Sequence, residues 1–414
     1  MDGNDVFITG IGLITPVGIG KEEAWQNMLQ GKSGIKYISL FDASNLPVKI
    51  AGELCSDFEY VARGFFKRKS NYNQTIRFSK IGVMAASLSL KDAGIELRNE
   101  DTRKIGICIG TGIGGLLFTE EQVMQFYKNW NNNDLLSIVK VTPNAASSNI
   151  AINLNIKGPS LTVTTACASG GHAIGVAYDL IKMNRIDLAL AGGIETPISP
   201  LAILGFNSLG ALSPRNGEPE KASRPFDKNR NGFVISEGGG IIVLESRRHL
   251  EARGGRAYCQ MRDWAFNSEA YSMVAPIETG DGMGEIMDIA LDNAGVQKSE
   301  VDYINAHGTS TILNDISETK AIKKVFGSLS SQISISSTKS MIGHTLGASG
   351  AIEVAVTALS VYHDKITPTI NLENHDHQCD LDYTPNIAVS KNIRAAISNS
   401  FGFGGNNCCI VLSK

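Results

Sequence analysis

The chain has 414 residues, 43 % of them hydrophobic and 19 % charged, which is enough for a large buried core in one or a few domains. A formal net charge of −3 leaves no basic field of the kind that binds nucleic acid. No run approaches the roughly 18 apolar residues of a membrane span, and the short polar stretch Met1–Asp5 leads straight into a strand-like run, which argues against a signal peptide.

Taken in chain order, VFITGIGLITPVG opens as a β-rich run with a turn, and Lys21–Leu29 reads as a short helix. Lys80–Ala93 has helical spacing and ends at Gly94. KIGICIGTGIGG is a buried strand followed by a glycine loop. Leu161–Thr165 alternates like a half-buried strand, and the small residues of Ala168–Val176 read as a closely packed helix, with Cys167 between the two. IDLALAGG and GGGIIVLE are further buried strands. The span from Ile198 to Glu237 shows little periodicity, and a loop of that length points to function or to packing on a neighbour. Gly282–Ala294 is helical and closed by Gly295, and VDYINAHGTST is a strand running into a polar loop. QISISSTKS is a strand, GASGAIEVAVTALSVYH a helix, and AAISNSFGFGG and CCIVLS are the last strands. Strands alternating with helices predict a buried, largely parallel or mixed sheet. LTVTTAC with its following helix and DLALAGG echoes ISISSTK with its helix and AAISNSFGFGG, and KIGICIGTG echoes VDYINAHGT. The echo is read as two related halves, with a chance match between βα units as the alternative.

Glycine clusters follow the apolar runs in GTGIGG, SGGHAIG, EGGG, GHTLGASG and FGFGG, so several loops are expected to converge at strand ends, where α/β sheets place their chemistry. Cys167, at a strand-to-helix elbow, is the candidate nucleophile; a helix N-terminus pulls a thiol below its usual value of about 8.5. Its own backbone N–H and the FGFGG segment are candidate oxyanion donors. Cys108, Cys259, Cys408 and Cys409 lie within strands and are read as structural. With Cys55, Cys167 and Cys379 they make seven scattered cysteines, an odd number that fits reduced thiols in a cytosolic protein better than a disulfide framework. His307 and His344 adjoin glycine in strand-end loops, where each can act as a base or as a donor to a developing oxyanion. His172, His249 and His363 fall in helices or at their ends and are read as structural. Glu353, alone in an apolar helix, needs a partner, and Lys339 is the natural one. Only His375 and His377, in a polar loop, have metal-ligand spacing, so no metal site is expected.

TACASGG, HGTST, STKSMIGHTLGASGA and NSFGFGGNN, in this order, resemble the elongating, type II branch of the β-ketoacyl-acyl carrier protein synthases, and the resemblance covers essentially the whole chain. It implies a thiolase fold, αβαβα, of two duplicated halves (1–255, with the nucleophile, and 256–414, with the histidines and lysine), each carrying a mixed five-stranded sheet. It implies Cys167 as acyl acceptor, His307 and His344 as the pair that drives decarboxylation of malonyl-carrier protein, and Lys339 as organiser with Glu353 beside it. Phe403 matches the gating phenylalanine whose N–H joins that of Cys167 in the oxyanion hole. Thr309 and Thr311 match the pantetheine-binding pair, and Ile113 and Phe206 are expected in the acyl pocket. No resident cofactor is implied, because the phosphopantetheine arrives on an acyl carrier protein; a homodimer or a heterodimer with a ketosynthase-like subunit is implied. The chain departs from the family at Ser272 and Val274 in EAYSMVAP, at Ile312 after HGTST, and at NNCC after the glycine turn. These changes point to a specialised chain such as a polyketide or polyene, against neutral drift. A degradative thiolase would need a second catalytic cysteine, for which Cys408 or Cys409 would have to serve. An initiating synthase would use Cys-His-Asn, which His344 in GHTLGA opposes. A chain-length partner subunit would lack Cys167.

Overall fold

In the computed structural model, which describes residues 5–129 and 134–414, VFITGIGLIT forms strand β1 (Val6–Thr15). Met1 to Asn4, most of the polar stretch read as no signal, lie outside the described residues. Four more strands, β2 (Ile105–Gly110), β3 (Ser160–Val163), β4 (Leu188–Glu195) and β5 (Gly238–Ser246), complete a half-sheet ordered β3-β2-β4-β5-β1. The second half repeats it with β6 (Cys259–Ser268), β7 (Val301–Asn305), β8 (Ser334–Ser336), β9 (Ala395–Gly402) and β10 (Asn406–Ser413), ordered β8-β7-β9-β10-β6. In each half the first three strands are parallel and the remaining pairings antiparallel. The internal echo of the sequence is therefore a duplication, strand for strand.

The helices duplicate too. The first half holds α1 (Arg77–Ala93), α2 (Ala145–Leu154) and α3 (Ser169–Lys182). The second holds α4 (Asp281–Ala294), α5 (Ile312–Phe326) and α6 (Ser349–His363). α1 and α4 end, as their spacing predicts, on left-handed glycines, Gly94 at φ 69° and Gly295 at φ 60°. α1 and α2 cover one outer face, and α4 and α5 the other. α3 and α6 are buried nearly all round, because they form the middle layer between the two halves. Small residues make that layer possible: a Cβ on Gly170 would stand 2.9 Å from the Ala351 nitrogen, and one on Gly175 would meet the Trp264 ring at 2.1 Å.

Three expectations need correcting. The two five-stranded sheets are not separate: β1 pairs with β6 through Val6–Met261, Phe7–Gln260 and Ile8–Cys259, so they run on as one sheet. The strand expected over QISISSTKS stops at Ser336, because Ser337 and Ser340 turn their hydroxyls onto backbone carbonyls, and a short helix, Lys339–Ile342, follows. The aperiodic span from Ile198 contains a helix, Pro200–Ser208, capped by Ser199, and its later part packs into its own chain through buried Arg224, Asp227 and Arg230. No helix among the described residues is long and apolar enough to cross a membrane.

Candidate active site

A cavity of about 390 Å³ opens where strand ends from both halves meet, and Cys167, His307, His344, Phe401 and Phe403 are in its wall. The elbow at Cys167 is strained: Ala166, just before it, has φ 50°, left-handed and costly for a side chain with a Cβ. Ser169 holds the turn closed, accepting from the Thr165 amide at 2.8 Å and donating to the Ala166 carbonyl at 2.6 Å. His172 braces it from behind, with Nδ1 at 2.5 Å from the Thr165 hydroxyl and Nε2 at 3.3 Å from the Asn407 carbonyl.

The β9–β10 turn presses against this elbow. A Cβ on Gly402 would lie 3.2 Å from the Cys167 nitrogen, and Gly404 and Gly405 have φ 79° and 72°. Close approach and left-handed backbone together call for the glycines of FGFGG. The turn brings the Phe403 N–H onto the Cys167 sulfur. The Phe403 amide and the Cys167 amide are thereby brought close to the sulfur. Asn406 stands where the family usually has threonine, and its Nδ2 donates to the Phe403 carbonyl at 3.2 Å, holding the turn.

The expectation of a depressed thiol pKa is not met. Cys167 is only 7 % exposed, and burial pushes its thiol up to about 11. The Lys339 ammonium and the Phe403 N–H pull the other way, but desolvation of the thiolate outweighs them. Alkylation of the purified chain by iodoacetamide should therefore speed up steadily from pH 7 to 10 without levelling. A plateau at Cys167 below pH 8 would show that the helix end and Lys339 dominate instead.

His307 is oriented by Lys339, whose ammonium lies 3.3 Å from Nδ1 and donates to the His307 carbonyl at 2.7 Å. An ammonium only donates, so Nδ1 accepts and the ring proton sits on Nε2. The His344 Nδ1 is 2.9 Å from the Ser349 hydroxyl. Burial first, then the neighbouring Lys339, holds both imidazoles well below the usual histidine range, so both are neutral. Their rings meet edge to face with centroids 5.4 Å apart. Lys339 forms an ion pair with Glu353, and the two side chains are 1 % and 0 % exposed. The sulfur and ring nitrogens of Cys167, His307 and His344 lie within 4.8 Å of one another. That spacing suits a metal as well as a catalytic triad, but the Lys339 cation beside it opposes a second positive charge.

Thr309 and Thr311 line the cavity with their hydroxyls 2.8 Å apart. Phe206 lines it too, 6.4 Å ring to ring from Phe403. Ile113 does not line the cavity of this chain. Buried Glu195 accepts the amides of Gly112, Ile113 and Gly114, and the Ile113 side chain is 39 % exposed in the single chain. His249 bridges Glu245 and Glu100, and His363 stacks on Trp25 at 5.8 Å, both away from the site. Sequence reasoning missed Glu318, a fully buried carboxylate that accepts the His307 and Gly308 amides at 2.9 and 2.8 Å. A signal existed: Asp315 and Glu318 share the helical stripe of Ile322 and Val325 on α5.

One thiol to take an acyl group and two imidazole N–H groups to meet a second carbonyl are what carbon–carbon bond formation between thioesters requires, and the five-layer duplicated fold is that of the thiolase-like condensing enzymes. The chain belongs to the β-ketoacyl synthase family: the family's N-terminal domain matches residues 3–249 and its C-terminal domain residues 258–373. It is 42 % identical over 410 residues to the 3-oxoacyl-[acyl-carrier-protein] synthase 2 of Synechocystis sp., covering 99 % of this chain and 98 % of that protein. It is 39 % identical to the synthase of the same name from Staphylococcus aureus (strain N315), over 99 % of this chain and 98 % of that one. Among solved structures it resembles the ishigamide ketosynthase/chain length factor, with a TM-score of 0.92 and 32 % identity over 99 % of both chains. It also resembles AntDE:AntF, a type II PKS acyl-carrier protein in complex with its ketosynthase bound to the hexaketide, at a TM-score of 0.90 and 34 % identity over 99 % of this chain and 98 % of that one.

Proposed function

We propose that the chain elongates acyl chains by decarboxylative Claisen condensation of malonyl-carrier protein with an acyl group held on Cys167. The observation that carries this is the meeting, in one cavity, of a buried thiol under the Phe403 N–H with two neutral imidazoles. In the first half-reaction the sulfur of Cys167 attacks the incoming thioester. The proton it loses ends on the departing pantetheine sulfur. The tetrahedral oxyanion rests between the amides of Cys167 and Phe403. In the second half-reaction malonyl thioester loses CO₂, and the electrons of the broken C–C bond form an enolate. The Nε2–H groups of His307 and His344 stabilise its oxygen. The enolate carbon attacks the acyl-Cys carbonyl, and the Cys167 thiolate leaves. Lys339 and Glu353 fix the His307 tautomer.

Thr309 and Thr311 hold the pantetheine arm, and no resident cofactor takes part in either step. The partner is an acyl carrier protein, and the enzyme works in the cytoplasm. The chain pairs with a second copy or with a ketosynthase-like subunit. β3 is the outer strand of its half-sheet and exposes Leu161; α2 beside it exposes Ile152, and the helices Leu116–Lys128 and Ser137–Val141 expose Val123, Met124, Tyr127 and Ile138. A sedimentation mass of a single chain, with turnover intact, would refute that pairing. Val274 and Ile312, the departures from the family at Ser272–Val274 and after HGTST, line the cavity mouth. They favour a specialised chain, a polyketide or polyene, over ordinary fatty acid.

The test is mass spectrometry of the carrier after mixing the chain with malonyl-carrier protein and a panel of acyl-carrier proteins. A product two carbons longer, absent with Cys167→Ala, is expected, and the preferred primer identifies the pathway. Extension at the wild-type rate by Cys167→Ala would sink the mechanism.

A further inference from the structure

Among the polar atoms of the cavity wall, the Asn314 Oδ1 has no hydrogen-bond partner among the described residues. Asn314 lies in the first turn of α5, three residues after Thr311, lines the cavity and is 8 % exposed. Its Nδ2 donates to the Asp315 Oδ1 at 3.1 Å. Asp315 is fully buried and ringed by donors: the Phe226 N–H at 2.8 Å, the Thr309 N–H, and the Arg230 guanidinium at 3.5 Å. A carboxylate in that company accepts, so the Asn314 NH₂ edge must face it and Oδ1 must face away.

The frame around this oxygen is rigid. Arg230, anchored on Asp376 at 2.6 Å, donates to the carbonyls of Thr311 and Ile312, each at 3.2 Å. Ser310 is held left-handed at φ 71°, its hydroxyl taking the Arg224 N–H and its carbonyl the Gly232 N–H, both at 3.0 Å. The aperiodic segment 222–232 thus serves as a cradle for the loop that carries Thr309, Thr311 and Asn314. Glu269 of the same wall is engaged: its oxygens take the Ile277 N–H at 3.0 Å and the Asn407 Nδ2 at 3.2 Å.

We propose that Asn314 Oδ1 accepts an N–H from one of the two amides of the pantetheine arm, making Asn314 a substrate-binding residue. The inference rests on the carrier-thioester reading above. An arm that alternates C=O and N–H needs donors and acceptors from its tunnel. The Thr309 and Thr311 hydroxyls bond each other, which leaves the pair one free O–H to donate, and Asn314 Oδ1 adds an acceptor whose orientation is fixed.

The test follows transfer of an acyl group from a synthetic acyl-pantetheine to Cys167, read by mass. Asn314→Ala should raise KM about three- to ten-fold, the usual worth of one neutral hydrogen bond, with kcat within about two-fold. Two analogues, each with one amide N–H replaced by an ester oxygen, locate the contact. On the wild type one of them loses the same factor, and on Asn314→Ala it loses nothing more. An unchanged KM, or losses that multiply, overturns the inference while the condensing function stands. A wild type that accepts no acyl group from intact acyl-pantetheine or acyl-carrier protein overturns both.

Discussion

His307→Ala and His344→Ala should each leave Cys167 able to accept an acyl group and should each reduce condensation by about 10²–10³-fold, the worth of one preorganised oxyanion donor. The first half-reaction draws its oxyanion stabilisation from the amides of Cys167 and Phe403, which neither change touches. The second depends on charge developing on the malonyl thioester oxygen. There an imidazole N–H in a water-poor site acts far more strongly than it would in solvent. Both rings are held neutral by burial and by Lys339, and each then has one ring N–H to donate, Nε2–H in His307. Single-turnover acylation, read as the mass of the enzyme, separates the steps, and the mass of the carrier reports condensation. The roles would be reversed by a His344→Ala enzyme that no longer acylates yet still decarboxylates malonyl-carrier protein.

Much of this site was legible in the sequence because its chemistry depends on short local motifs. A thiol between a strand and a run of small residues, and histidines beside glycine, announce themselves without long-range information. Glu353 was legible because it is the only acidic residue in a largely apolar, buried helix, where a charged carboxylate calls for a partner. What stayed hidden depends on contacts distant in sequence. Glu318 looks like one more carboxylate on a mixed helix until α5 is docked beneath the His307 loop. Ile113 reads as a pocket residue, but its loop is held by buried Glu195, 82 positions away, through its amide, and its side chain is not among those lining the cavity. The thiol of Cys167 looked activated because the helix end is visible in sequence, whereas the burial that pushes its pKa up is not. The joining of the two sheets rests on a short antiparallel register at the end of β1, below anything periodicity can reveal.

Glu353→Gln and Lys339→Met should destabilise the chain with opposite dependence on pH. In the wild type the Lys339 ammonium is matched by three acceptors: Glu353, the His307 carbonyl at 2.7 Å and the His307 Nδ1 at 3.3 Å. Glu353→Gln removes the counter-charge and strands a buried ammonium, a loss of about 3–5 kcal/mol. The lysine's escape is to give up its proton, so the folded state binds fewer protons than the unfolded one. The deficit relative to wild type must then shrink as pH rises from 7 to 9. Lys339→Met strands the carboxyl instead. Burial already pushes Glu353 up to about 7, and its Oε2 has no hydrogen-bond partner among the described residues, so taking up a proton is the easier escape. The folded state then binds more protons than the unfolded one, and the deficit shrinks as pH falls from 7 toward 5. Near neutral pH the glutamine variant should melt lower, because a lysine ionising at about 10.4 in water must be moved further than a carboxyl already near 7. Both changes free His307 from its fixed tautomer and should slow condensation while sparing acylation. Melting temperatures of wild type and both variants, taken from pH 5.5 to 9, decide the matter. If the two deficits vary with pH in the same direction, Lys339 and Glu353 do not form the buried charge pair on which the His307 orientation depends.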